Sequence, residues 1–179
     1  MTNFIEQYKI DKKLCDEIIE YRKTRPNFVG TTISGTNKDI KDSLDSYFCK
    51  SDSTYINYIS ELDECLIKYE KKYSILKNHN FTLSENTIIQ FYPPGGGYKN
   101  FHSELDRTKH PYNKRLLVFM TYLNDVYIRG QTEFLYQKKS FRARKGKTLI
   151  WPADWTHTHR GIVAPFQEKI IVTGWIHST

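Results

Sequence analysis

Four residues in the second half of the chain could do chemistry together: His102 and Glu104, two apart, then His159, and Lys169 ten residues beyond it. Two imidazoles and one carboxylate suit non-haem Fe(II) sites that keep coordination positions open for O2. Zinc accepts the same three ligands, so the set points to a metal site before it points to a metal. An HxE pair is a weak signal by itself. A His and a Glu on the polar face of a sheet have the same spacing and find partners anyway. Lys169 adds to the signal. With Ile171, Thr173 and Trp175 it alternates onto one strand face. A lysine aimed inward among apolar residues is costly unless it meets a negative charge, and an acidic ligand would supply one. The plainer alternative is an edge lysine whose amine reaches solvent.

These residues need a scaffold. His102 and Glu104 share a face only if residues 98–104 form an extended strand, and His159, 57 residues after His102, must arrive on another strand of a folded-over sheet. After Asn80 the chain does read as short β-type runs between turn residues: 87–92, 98–104, 115–123, 132–136, 147–151, 158–163 and 169–176. That punctuation indicates a sandwich or barrel. The first 80 residues read as helical. Asp11 can cap a helix in which Leu14, Cys15, Ile18 and Ile19 form one apolar face. Tyr55, Ile59, Leu62, Leu66, Tyr69 and Tyr73 recur at spacings of four and three, which predicts a long helix packed on a sheet; the run is short for a coiled coil. Between the helices, the polar segment 27–53 reads as a loop near the site and, with 87–98, as a candidate lid. Helices first and strands afterwards predict an α+β fold, one domain over 1–179 in which residues 1–80 are helical and residues 81–179 form a β core.

Composition narrows the class. The 179 residues suffice for one domain with a real core, and 13 Tyr and 10 Phe favour strands. No run of about 18 apolar residues exists, so no membrane partner is expected. The polar start, residues 1–13, does not read as a signal peptide. Cys15, Cys49 and Cys65 are scattered with no CxxC, as expected of reduced, buried thiols in a cytoplasmic setting. A net charge of +7 allows an acidic partner, nucleic acid included. The lysines are dispersed apart from clusters at Lys138-Lys139 and Arg142-Arg144-Lys145, and no aromatic-plus-basic stripe points to a single strand. The oligomeric state is left open.

Several ordered motifs go further. Gln90-Phe91-Tyr92-Pro93-Pro94-Gly95-Gly96-Gly97-Tyr98 followed by His102-Ser103-Glu104 resembles the entry to the metal site of the Fe(II)/2-oxoglutarate-dependent dioxygenase family, in its prolyl 4-hydroxylase-like branch. The strand Lys114 to Asn124, ending Tyr122-Leu123-Asn124, looks like that family's central strand. Gly130-Gln131-Thr132-Glu133-Phe134 is similar to its GGxTxF segment. Arg144 to Pro152 resembles the strand before the distal His, and His159-Arg160-Gly161 with Lys169 to Trp175 the closing segment. The resemblance spans residues 87–179, about half the chain, and is specific for the family but not for a substrate.

The resemblance implies a double-stranded β-helix, a jelly-roll core buttressed here by the N-terminal helices. It places His102, Glu104 and His159 on the metal triad and Lys169 on the clamp for the 2-oxoglutarate carboxylate. Tyr92 and Thr132 fall on hydroxyl donors to that co-substrate and Trp175 on a wall of its pocket. Tyr98, Arg115 and His177 match positions that face substrate, although Tyr98 could equally be core packing and Arg115 a surface ion pair. The cofactors implied are Fe(II), 2-oxoglutarate and O2, with ascorbate as a candidate reductant. The reaction implied is hydroxylation of an unactivated C–H, with a peptide or protein proline as first substrate and an amino acid or nucleobase as alternatives. A zinc hydrolase on the same triad and a non-catalytic jelly-roll binding module are the readings from other classes.

Two departures stand out. The family's usual carboxylate is Asp, whereas this chain has Glu104, one methylene longer, with Asp106 as a fallback ligand. Thr156-His157-Thr158-His159 offers two histidines on one expected strand face. His159 is preferred because Lys169 follows it by ten residues, the family spacing, whereas His157 would make that twelve.

Overall fold

The computed structural model describes residues 2–32 and 34–178. Met1 and Thr179, the ends of the expected domain, and Ile33, inside the expected 27–53 loop, lie outside them. In chain order the elements are β1 (Glu6–Lys9), α1 (Lys12–Lys23), β2 (Phe28–Val29), β3 (Lys41–Asp42), β4 (Leu44–Tyr47), α2 (Ser53–Lys72) and β5 (Phe81–Thr82). They continue with β6 (Ile88–Tyr92), β7 (Gly97–Tyr98), β8 (Arg115–Tyr122), β9 (Thr132–Phe134), β10 (Lys139–Phe141), β11 (Lys147–Pro152), β12 (His159–Gly161) and β13 (Lys169–Ser178). The fold is α+β and mostly antiparallel. An eight-stranded sheet runs β1-β11-β8-β13-β6-β4-β2, with β5 also paired to β13. A three-stranded sheet, β10-β9-β12, and a two-stranded one, β3-β7, complete it. Among the described residues no helix is long and apolar enough to cross a membrane.

Strand alternation divides the core in two. On one face of the large sheet Leu117, Phe119, Ile150, Ile170, Val172 and Ile176 pack with Leu14, Ile18, Tyr58, Leu62 and Tyr69 of the helices. On the other face Tyr92, Val118, Met120, Tyr122, Leu149, Trp151 and Ile171 pack with Phe134 of the small sheet. Burying a side chain of this kind contributes roughly 1.5–3 kcal/mol, so the pattern specifies which face of β13 meets the helices and which the site. Between helix and sheet, the Tyr58 hydroxyl lies 2.9 Å from Thr121 Oγ1, itself 2.7 Å from Thr148 Oγ1, which satisfies three buried hydroxyls.

Both expected helices form. Asp11 caps α1, accepting from the backbone N–H groups of Lys13 and Leu14, and Asp52 caps α2, accepting from Thr54. Three expectations change. The first 80 residues are not only helical, because β1 forms the edge of the large sheet, pairing with β11 from Glu6 opposite Ile150 to Lys9 opposite Lys147. Residues 27–53 are not a loop: β4 extends the large sheet beside β6, from Leu44 opposite Phe91 to Tyr47 opposite Ile88. What holds them is a buried polar cluster. Lys41 Nζ lies 2.8 Å from Asp45 Oδ2, and Ser43 Oγ donates to Asp45 Oδ1 at 2.8 Å. Residues 98–104 are a strand only at Tyr98, the end of β7; beyond it the chain turns irregular and touches β12 through one isolated bridge, His102 to His159.

Candidate active site

His159 opens β12 and is paired on both sides. Opposite it in the ladder stands Phe134 of β9. On the other side its backbone exchanges two 2.9 Å hydrogen bonds with His102. This bridge, not strand alternation, brings the two imidazoles together, with ring centroids 4.4 Å apart. Each ring is oriented by a carbonyl. His102 Nδ1 faces Asn100 O at 3.0 Å and His159 Nδ1 faces His157 O at 2.9 Å. A carbonyl only accepts, so Nδ1 carries the proton and Nε2 keeps its lone pair. Both Nε2 atoms point at Glu104 Oε1, at 3.4 and 3.5 Å. Three ligand atoms within 4.8 Å of one another, lone pairs converging, form a donor set that fits a divalent cation. Burial and then the neighbouring His102 hold the His159 imidazole below its usual pKa, in the neutral form that ligates metal. Burial pushes the Glu104 carboxyl up; only imidazoles that carry a proton on Nε2 as well would donate to Oε1, and their hydrogen bonds and charge would then outweigh burial and hold the carboxyl well below its usual range.

The backbone sets Glu104 at a bend. The N–H groups of Glu104 and Leu105 both donate to Ala153 O, at 3.1 and 3.0 Å. Its second oxygen, Oε2, accepts from Trp175 Nε1 at 3.0 Å and Arg115 Nη1 at 3.3 Å. Asp106 stands apart and accepts from Thr108 instead. His157 does not share a strand face with His159. It sits in the short 3-10 turn Trp155–His157, its Nε2 donating to Asn3 O at 2.9 Å, away from the triad. Tyr98 stacks on the His102 ring, centroids 3.6 Å apart and planes within 7°.

Lys169, at the start of β13, is 4% exposed. Its amine lies 3.4 Å from Gly130 O and 4.9 Å from the centre of the Tyr92 ring. Among the described residues no carboxylate comes within 4.0 Å of it, and burial pushes its pKa down to about 8. Gly161 leaves it room, since a Cβ there would stand 3.2 Å from the amine. Tyr92 donates its hydroxyl to Gln90 Oε1 at 2.7 Å, and Thr132 Oγ1 accepts from Tyr122 at 2.6 Å. The Tyr92 proton is therefore engaged, whereas Thr132 accepts from Tyr122 and directs its own O–H to Met120 Sδ at 3.8 Å.

The triad, Lys169 and Trp175 line one cavity of about 620 Å3, together with Tyr98, Tyr112, Phe28 and Tyr47. That volume accommodates a small dicarboxylate with a portion of a larger molecule. Of the residues expected to face substrate, Arg115 lines this cavity but is engaged by carboxylates, and His177 is not among the lining residues. Arg115 makes two 2.6 Å hydrogen bonds to Glu85, and His177 Nε2 donates to Glu85 Oε1 at 2.7 Å. Glu85 and the Lys41–Asp45 pair lie outside the motifs, and Gln90 and Tyr122 lie within them but receive no role from them. Gln90 has a signal, standing two residues before Tyr92 on the same strand face. Lys41 and Asp45 lie in the polar stretch that reads as a loop and have none.

No protein-family model matches the chain, and no curated protein matches it by sequence. Solved structures do match over nearly its whole length. A viral collagen prolyl hydroxylase from Paramecium bursaria Chlorella virus-1, in its 2OG complex, aligns at TM-score 0.75 and 20% identity over 98% of this chain and 97% of that one. A Pseudomonas putida prolyl-4-hydroxylase aligns at TM-score 0.78 and 15% identity over 98% and 94%. A Trichoplax adhaerens prolyl hydroxylase, in complex with a hypoxia inducible factor oxygen degradation domain peptide fragment, aligns at TM-score 0.78 and 17% identity over 98% and 84%. The chain is built on the fold of the prolyl 4-hydroxylases, the branch its motifs resemble.

Proposed function

We propose that the protein is an Fe(II)- and 2-oxoglutarate-dependent dioxygenase that hydroxylates peptidyl proline. The observation that carries this reading is Lys169: a buried amine with no carboxylate partner among the described residues, sharing one cavity with three converging metal ligands. A zinc hydrolase on the same triad has no use for such a cation, and a binding module has no use for the triad. In this reading the large and small sheets are the two leaves of a double-stranded β-helix closing on the cavity, and residues 1–179 form one catalytic domain. The thiols of Cys15 and Cys65 are buried as expected and that of Cys49 is exposed instead; all three are free, in accord with a cytoplasmic setting.

His102, Glu104 and His159 would hold the iron. Bound there with 2-oxoglutarate, it supplies O2 activation, coupling oxidative decarboxylation to succinate and CO2 with hydroxylation of an unactivated C–H; ascorbate is the proposed reductant that keeps it ferrous. The chain supplies the rest. Lys169 neutralises the distal carboxylate. Tyr92 and Thr132 turn their hydroxyls to it, Tyr92 releasing Gln90, and Trp175 walls the site. Met120 and Ile171 keep the inner cavity apolar. Tyr98 fixes the His102 ring by stacking.

The cavity's charge favours a peptide over the alternatives. Of the lysines and arginines lining it, Lys41 is paired with Asp45, and Arg115 with Glu85 and Glu104. Once Lys169 holds the co-substrate, no unpaired lysine or arginine among the described lining residues is left for a free amino acid's carboxylate or a nucleotide's phosphate. The cavity is also lined by the aromatic side chains of Phe28, Tyr47, Tyr98 and Tyr112, a surface suited to an uncharged proline-containing segment. The peptide held by the Trichoplax neighbour is in keeping with this.

The test is anaerobic. Fe(II) and 2-oxoglutarate added to metal-free protein should produce the weak visible charge-transfer band, absent in His159→Ala and weakened in Lys169→Ala. No band with iron demonstrably bound would refute the co-substrate assignment. A band without hydroxylation of proline-containing peptides would refute the substrate.

A further inference from the structure

Glu104 is a longer ligand than the Asp its motif leads one to expect, and the surrounding residues are built for that length. Three hydrogen bonds pin its backbone: Glu104 N and Leu105 N to Ala153 O, and Arg115 Nη1 to Glu104 O at 3.0 Å. The carboxylate then divides its work. Oε1 faces the two imidazoles, while Oε2 is turned away and held by the Trp175 indole N–H and the Arg115 guanidinium. Arg115 cannot shift to follow a shorter acid. Its side chain is 5% exposed, forks onto Glu85, and is stacked 3.6 Å from the Trp175 ring centre and 4.4 Å from that of Tyr112. Glu85 is braced in turn by His177, whose Nδ1 lies 2.8 Å from Ser84 Oγ.

We propose that Arg115 and Trp175, braced by Glu85 and His177, are positioning residues that make this metal site specific for glutamate, so that the shorter aspartate is the worse ligand here. The inference rests on the reading of His102, Glu104 and His159 as metal ligands. Shortening the side chain by one C–C bond withdraws the carboxylate by about 1.5 Å. Glu104 Oε2 would then leave Trp175 or Oε1 would leave the imidazoles, since a 3.0 Å hydrogen bond does not survive that stretch. Residues that orient a metal ligand typically change affinity by about 10–100-fold.

Co(II) titration of the metal-free chain, followed by its d–d absorption, tests this without turnover. Expected are uptake by the wild type, Co(II) affinity about 10–100-fold weaker in Glu104→Asp with an altered band envelope, and a loss in Trp175→Phe, which removes the indole N–H and keeps the ring. The double variant should bind no more weakly than Glu104→Asp alone, because both changes act through Oε2. Affinity in Glu104→Asp equal to wild type would overturn the proposal, and so would losses that multiply in the double variant. Should Trp175→Phe not fold, Arg115→Lys, which keeps the charge and loses the fork, takes its place with the same expectation. Failure of the wild type to take up Co(II) would instead remove the triad reading beneath the proposal.

Discussion

Replacing Lys169 with methionine should stabilise the protein in the absence of co-substrate and destroy its response to co-substrate. Methionine nearly matches lysine in volume and carries no charge. A lysine pushed by burial from 10.5 to about 8 costs the folded state about 3 kcal/mol at neutral pH, as an upper figure. The sign follows from the folded pKa lying below the unfolded one. The cost is full below pH 8, shrinks as pH rises from 8 to 10.5, and is gone above that. For a chain of this size each kcal/mol is worth about 2–4 °C in Tm, so Lys169→Met should melt about 2–10 °C higher at pH 7. 2-Oxoglutarate with Mn(II), at about 100 times its Kd, should then stabilise the wild type by about 2.7 kcal/mol and leave the variant almost unmoved. Ligand at that level thus brings the wild-type melting curve up close to the variant's. A variant less stable than the wild type without ligand would show that Lys169 is structurally satisfied. A variant that still responds fully to 2-oxoglutarate would show that its carboxylate binds elsewhere.

Two further perturbations test the surroundings. Asp45→Ala strands the buried Lys41 amine and should cost about 3–5 kcal/mol in urea unfolding, with much of the loss recovered in the double variant Lys41→Met/Asp45→Ala; equal stability of wild type and Asp45→Ala would show the pair to be dispensable. Gly161→Ala brings a Cβ to 3.2 Å from Lys169 Nζ, so calorimetry should find weaker 2-oxoglutarate binding and unchanged metal affinity; unchanged co-substrate affinity would place the dicarboxylate away from this amine.

What is legible in the sequence is carried by period. In β13 the alternation of Lys169, Ile171, Thr173 and Trp175 against Ile170 and Val172 separates the cavity from the helix-facing core, as the two clusters bear out. In α2 the four-and-three spacing holds from Tyr55 to Tyr69. What alternation cannot reach is the bend at Glu104. Two consecutive N–H groups share one carbonyl there, a local solution supplied by Ala153 from a distant stretch of the chain. Residues 27–53 read wrongly because buried lysine and aspartate look like solvent-facing residues until their partners are known, and Gly30, Lys41, Ser43, Asp45 and Gln90 meet only in the fold. The short edge strand Glu6–Lys9 has too brief and polar a pattern to be read as sheet. Arg115 is recognisable by position, but its partner Glu85 lies 30 residues away.

One strand, β13, holds Lys169 opposite Tyr92 at one end and Trp175 opposite Val118 near the other, roughly 20 Å along a ribbon of about 3.4 Å per residue. Neighbours on both sides lock its register, and a slip of one residue turns every cavity-facing side chain toward the helices. Inserting or deleting a single residue between those points would therefore disconnect the amine from the glutamate clamp in one event. Variants of this chain should therefore keep their cavity through substitutions along the strand but not through changes in its length. Divergence in length is left to the turns between strands, such as the stretch between Leu123 and Thr132, where the ruler does not run.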